Sequence, residues 1–154
     1  MEESDMVEKQ SSDVKLQRSV TLANDVQDIP QLAAFVDEVC EAVGFDSILT
    51  MQMNLAMEEA VVNVMNYAYP KGTKGDVCIE AKAENGELQF MIVDSGTPFD
   101  PTAKEDVDTT LSAEERPIGG LGIFLVRQLM DDISYEYKEG KNMLTLRKKV
   151  KTDN

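Results

Sequence analysis

At 154 residues and 42% hydrophobic content, the chain is long enough to bury the core of one domain, and its composition excludes disorder and fibres. Its 29 acids against 15 bases give a formal charge of −14, which repels phosphate backbones and argues against general nucleic-acid binding. A single nucleotide stays possible, because helix N-termini and glycine-rich turns supply local positive potential, but the complete lack of histidine removes Ser-His-Asp catalysis, His-ligated zinc and any phosphohistidine step.

Residues 1–13 open with MEESDMVEKQ, acidic where a signal peptide is basic, and read as a flexible acidic tail. No apolar run reaches membrane-spanning length, so the expected location is cytoplasmic. From Val14 the chain alternates, with Val14, Leu16, Val20 and Leu22 on one side and Arg18 as the interruption, which predicts a strand. Pro30 suits a first helical turn, and Leu32, Phe35, Val36, Val39 and Val43 follow at helical spacing up to Gly44. Cys40 and Cys78 lack metal-ligand spacing and read as reduced, buried small hydrophobes.

Asp46 or Ser47 can cap a second helix that runs through Met53, Met57, Ala60, Val61 and Val64 and stops before Pro70 and Gly72. It carries Glu59 and Asn63, which share a face at i and i+4. A carboxamide oxygen suits magnesium, and a nearby glutamate can deprotonate a hydroxyl, although the same pair also suits a solvated helix face. DVCIEAKAE, the turn Asn85-Gly86 and ELQFMIVD predict a hairpin whose second strand is central. That strand ends in Asp94, with Gly96 two residues on, either a ligand carboxylate beside a close backbone approach or an ordinary turn.

Residues 95–118 carry three prolines and no core pattern, which fits a lid or a disordered segment. Gly119, Gly120 and Gly122 then precede a helix with Ile123, Phe124, Val126, Leu129 and Met130 as its apolar face. Glycines at a helix N-terminus make an anion site or a hinge with a cap, and no Walker Gly-Lys-Ser/Thr follows. ISYEYKEG and NMLTLRKKV close the chain as a second strand pair. The order predicts an α+β two-layer sandwich, a mixed, mainly antiparallel sheet with three helices on one face. One domain is expected over 14–149, with residues 150–154 as a tail.

Taken in order, EEAVVNVMNYAY, VDSGTPFDP and GGLGIFLVRQLMDDISY resemble the N, G1 and G2 boxes of the anti-sigma-factor serine kinases. These are small members of the GHKL ATPase superfamily, with the Bergerat fold. The resemblance implies ATP and Mg²⁺ as ligands, with Asn63 holding Mg²⁺ against the phosphates and Glu59 as general base on the acceptor hydroxyl. It implies Asp94 on the adenine amine, Gly96 giving the ring room, and Gly119, Gly120, Leu121 and Gly122 around the phosphates. Residues 100–118 become the ATP lid, with Arg116 either a lid cation near the β- or γ-phosphate or a surface residue. The chain departs from the pattern at Tyr67, where relatives place histidine, at Pro98, which stiffens the lid hinge, and at Lys141-Asn142, where a Gly-Thr often closes the adenine pocket.

Lack of histidine argues against a sensor histidine kinase, and the length argues for a free-standing module. The resemblance implies a serine/threonine-protein kinase that binds a sigma factor or phosphorylates a STAS-domain anti-anti-sigma protein. A possible homodimer would use the first helix and first strand. The alternative is a nucleotide-sensing module of the same fold that sequesters a partner with little or no kinase activity.

Overall fold

The computed structural model of the chain describes residues 15–70, 72–103 and 120–150. β1 (Leu16–Ala23) leads through a 3-10 turn at Val26–Asp28 into α1 (Ile29–Val43) and α2 (Ser47–Tyr67). The hairpin β2 (Asp76–Glu84) and β3 (Glu87–Asp94) follows, then a 3-10 turn at Pro101–Ala103. α3 (Gly120–Leu129), β4 (Asp132–Lys138) and β5 (Lys141–Lys149) complete the order.

Local chemistry sets the boundaries. Gly44 ends α1 in the left-handed region at φ 86°, its N–H donating to the carbonyls of Cys40 and Glu41. Asp46, rather than Ser47, caps α2 by accepting from the Leu49 amide at 2.8 Å. Asn85 and Gly86 both take positive φ, as the tight hairpin requires.

The sheet order is β1-β2-β3-β5-β4, so β3 is central as its apolar pattern implies, and β5 inserts between β3 and β4. Every neighbouring pair is antiparallel, so the sheet has no parallel pair among the described residues and is not mixed there. Alternation sends Leu88, Phe90 and Ile92 of β3 and Leu144 and Leu146 of β5 into a core shared with Leu32, Met53 and Met57 of the helices. α2 packs against both α1 and α3, which accounts for apolar residues over most of its circumference.

Arg18 interrupts the apolar side of β1 as expected, and at this sheet edge it reaches Glu38 of α1 at 3.4 Å. Three details depart from the sequence expectation. Val150, expected in the tail, is buried and donates its N–H to the Gly86 carbonyl. Gly120 and Gly122 lie in the first turn of α3 rather than before it. Phe124, expected on the apolar face, is more than one-third exposed, whereas Val126 and Met130 are buried.

Both cysteines are free; Cys40 is buried and Cys78 half-buried. Burial pushes the Cys40 thiol up to about 11, so it is an inert apolar group at neutral pH.

Candidate functional site

Asp94 occupies the fourth inward position of β3, in phase with Leu88, Phe90 and Ile92, so the alternation that builds the core also drives a carboxylate inward. It is 2% exposed. Its Oδ1 accepts from the Gly96 amide at 2.8 Å and from the Asn142 amide nitrogen at 2.9 Å. Its Oδ2 is buried and has no hydrogen-bond partner among the described residues. Burial raises the carboxyl above its ordinary range, and the bonds from Asn142 and Gly96 pull it back down. A buried acceptor left open is unfavourable by about 1–3 kcal/mol, so it favours any ligand that brings an N–H.

Gly96 is required by packing as well as by any ligand. A Cβ built there would stand 2.3 Å from the carbonyl oxygen of Ala68, just beyond the last residue of α2. The same oxygen accepts the Thr97 amide at 2.7 Å and the Thr97 hydroxyl at 3.0 Å. Tyr69 adds a second fastening, its hydroxyl donating to the Asp76 carbonyl and accepting from the Ser95 amide. The end of α2 and the end of β3 are thereby locked together.

Asn142 faces Asp94 directly across the β3–β5 ladder and is 3% exposed. Its amide nitrogen also donates to the Thr97 carbonyl at 2.8 Å, and its oxygen accepts from the Phe99 amide at 2.9 Å and from the Tyr135 hydroxyl. The root of the expected lid is thus held well beyond Pro98. The Phe99 ring stacks on Tyr67 with centroids 5.5 Å apart, and Arg127 donates to the Thr102 carbonyl at 2.6 Å.

Glu59 and Asn63 sit one turn apart on α2, about 40° apart around an ideal helix. Asn63 is buried and its amide nitrogen donates back to the Glu59 carbonyl at 3.0 Å, so the amide oxygen is the end that can meet a cation. Glu59 is half-buried and Glu58 exposed. At 1.5 Å per residue, Asn63 lies about 7 Å and Glu59 about 13 Å along α2 from Ala68, which clamps the Asp94 turn. Asn63 and Glu59 therefore follow one another along α2, away from the helix end that the Asp94 turn is fastened to.

Leu121 lies with Gly120 and Gly122 in the first turn of α3, while Arg116 and Gly119 fall outside the described residues. Two clefts, of about 490 and 700 Å³, open on the Tyr69–Lys74 side; the smaller reaches Gly96, Thr97 and Pro98, and neither is lined by Glu59, Asn63 or Asp94. Among the described residues no cluster of three Cys, Asp or Glu side chains could hold a metal, and no helix is long and apolar enough to cross a membrane. The donor set fits a hard cation that arrives with phosphates and water and meets one amide oxygen.

The motif pattern marks Lys141-Asn142 only as a departure and does not reveal the bonds made by Asn142, Tyr135, Ala68 and Tyr69. The one available signal was a polar residue in phase with Leu144 and Leu146 on the last strand.

The histidine kinase-like ATPase domain family matches residues 22–148. The serine-protein kinase RsbW of Listeria monocytogenes is 31% identical over 110 residues, covering 69% of this chain and 70% of that protein. RsbW of Bacillus thuringiensis is 33% identical over 110 residues, covering 69% and 68%. In a crystal structure of the RsbU and RsbW domains of a Mycobacterium tuberculosis protein, the matching fold has a TM-score of 0.62 at 16% identity. That match covers 88% of this chain and 32% of the other.

Proposed function

The chain belongs to the anti-sigma-factor serine kinases of the histidine kinase-like ATPase family, and on that premise we propose that it transfers the γ-phosphoryl group of ATP to a serine or threonine of a STAS-type anti-anti-sigma protein. The observation that carries this reading is the open, buried Oδ2 of Asp94, an acceptor suited to the exocyclic amine of adenine. The reading assigns that bond to Asp94, with Gly96 keeping the turn close to α2. Asn63 would hold Mg²⁺ through its amide oxygen, and the ion would supply charge neutralisation at the phosphates. The first-turn amides of Gly120, Leu121 and Gly122, with Gly119 and the Arg116 guanidinium, supply further positive potential.

Glu59 takes the proton of the acceptor hydroxyl as its oxygen bonds to the γ-phosphorus and the bond to the β–γ bridging oxygen breaks, releasing ADP. The product carries a new phosphate of about −1.5 to −2 charge. Against a chain of −14 that charge favours release of the antagonist and leaves the kinase open to a sigma factor, a cytoplasmic partner switch that regulates transcription. In this reading a single domain over 14–149 carries the activity, with 100–118 as ATP lid, and a homodimer pairs through β1 and α1.

Incubation of the protein with γ-labelled ATP, Mg²⁺ and each STAS-domain protein of its own organism tests the reading. Label on one STAS protein, absent with Glu59→Gln, is the expected result; label on none of them overturns it.

A further inference from the structure

All four hydrogen-bonding positions of the Asn142 side chain are filled by groups from three different segments: Asp94 of β3, Thr97 and Phe99 of the following turn, and Tyr135 of β4. The amide orientation is fixed by chemistry, because the Phe99 N–H can only donate and the Thr97 carbonyl can only accept. The nitrogen must therefore face Asp94 and Thr97, and the oxygen Phe99 and Tyr135. A side chain so fully bonded at 3% exposure has one orientation available to it.

We propose that Asn142 is a positioning residue that sets base selectivity: it holds Oδ1 of Asp94, so that Oδ2 alone faces the ligand as an acceptor and rewards a base carrying an exocyclic amine over one carrying a carbonyl. This rests on the nucleotide reading above. With the Asn142 donor gone, the Asp94 carboxylate is held by the Gly96 amide alone and can turn from the ligand. The amine then loses its advantage over a carbonyl. The same side chain ties this acceptor to the backbone at Thr97 and Phe99, so the base contact and the root of the following segment are set by one group.

The test compares Asn142→Thr with Asn142→Val, two side chains of the same shape that differ by one hydroxyl. Both lose the bonds to Thr97 and Phe99, so both melt below wild type without nucleotide, but only threonine can donate to Asp94. Dissociation constants for Mg-ATP and Mg-ITP, which differ at the amine-or-carbonyl position, are measured by calorimetry. Wild type prefers ATP; the threonine variant keeps that preference within about threefold, and the valine variant loses about tenfold or more of it. Should both variants fail to fold, Tyr135→Phe removes only a donor to the Asn142 oxygen and lowers the ATP preference by about threefold. Equal ratios in the threonine and valine variants, or an unchanged ratio in Tyr135→Phe when it alone folds, overturn the inference. A wild type that binds neither nucleotide overturns the nucleotide reading instead.

Discussion

Asp94 and Glu59 are both carboxylates in the same candidate site, yet the molecule treats them differently. Asp94 is buried at a strand end and held by two donors, the Gly96 amide and Asn142 of β5, and Asn142 is itself bonded to Tyr135 of β4. Glu59 is half-buried on a helix face, and its neighbour Asn63 is tied, among the described residues, to the backbone of that helix. The first region is organised before any ligand arrives, and its ordering is part of the fold's own stability. The second carries its reactive groups on one element, where partners and ligand must complete the geometry. Mutations at the first should therefore mix folding with binding, whereas substitution of Glu59 should act on the chemistry with little effect on folding.

The largest effect expected is at the second region. Glu59→Gln should cut phosphoryl transfer by about 10²–10⁴-fold, while the ATP dissociation constant stays within about twofold. A variant that transfers at the wild-type rate would remove Glu59 as the base and erase the contrast. Next, Mg-ATP at a hundred times its dissociation constant should stabilise the wild type by about 2.7 kcal/mol in a thermal melt. Asn63→Ala should abolish most of the magnesium-dependent part of that stabilisation, measured against the variant's own melt without nucleotide, which falls because Asn63 is buried and bonded.

At the first region, Gly96→Ala should lower stability without nucleotide by about 1–3 kcal/mol, because its Cβ meets the backbone oxygen of Ala68 and something must move. A melt unchanged by that substitution would mean the α2–β3 junction yields easily. The smallest effect is a pH effect. The folded pKa of Asp94 lies above its unfolded value, so the folded state holds the proton more tightly. The resulting stabilisation is complete below the unfolded value and is lost as pH rises through the folded one. Asp94→Asn should flatten that decline and raise the neutral-pH melting temperature by a few degrees, while removing ATP-induced stabilisation. A pH profile identical to wild type would show that the buried charge carries no penalty.

Most of the fold was legible because its signals are local. Gly44, Asp46 and Asn85-Gly86 act within a few residues of themselves, and so do the alternations of β2 and β3. The place of β5 between β3 and β4 was not legible, since periodicity states which face a residue takes and never which strand lies alongside. That single missing fact hid Asn142, which is 48 residues from Asp94 in sequence and directly opposite it in the sheet. Gly96 was found for one reason, room for a ring, and has another in the Ala68 carbonyl, again a contact across distant sequence. Phe124 misled because helical spacing marks an apolar stripe without saying how much of it is covered.

The Ala68 carbonyl has a wider consequence. Helices ordinarily fray from their last turn, where carbonyls lack partners within the helix. Here that end is pinned by Thr97, the residue next to the Gly96 amide that Asp94 holds. Amide hydrogen exchange in the final turn, Val64 to Ala68, should therefore slow when a nucleotide engages Asp94, although the nucleotide touches none of those amides. The exchange clock of a helix end becomes a reporter for occupancy of the pocket beside it.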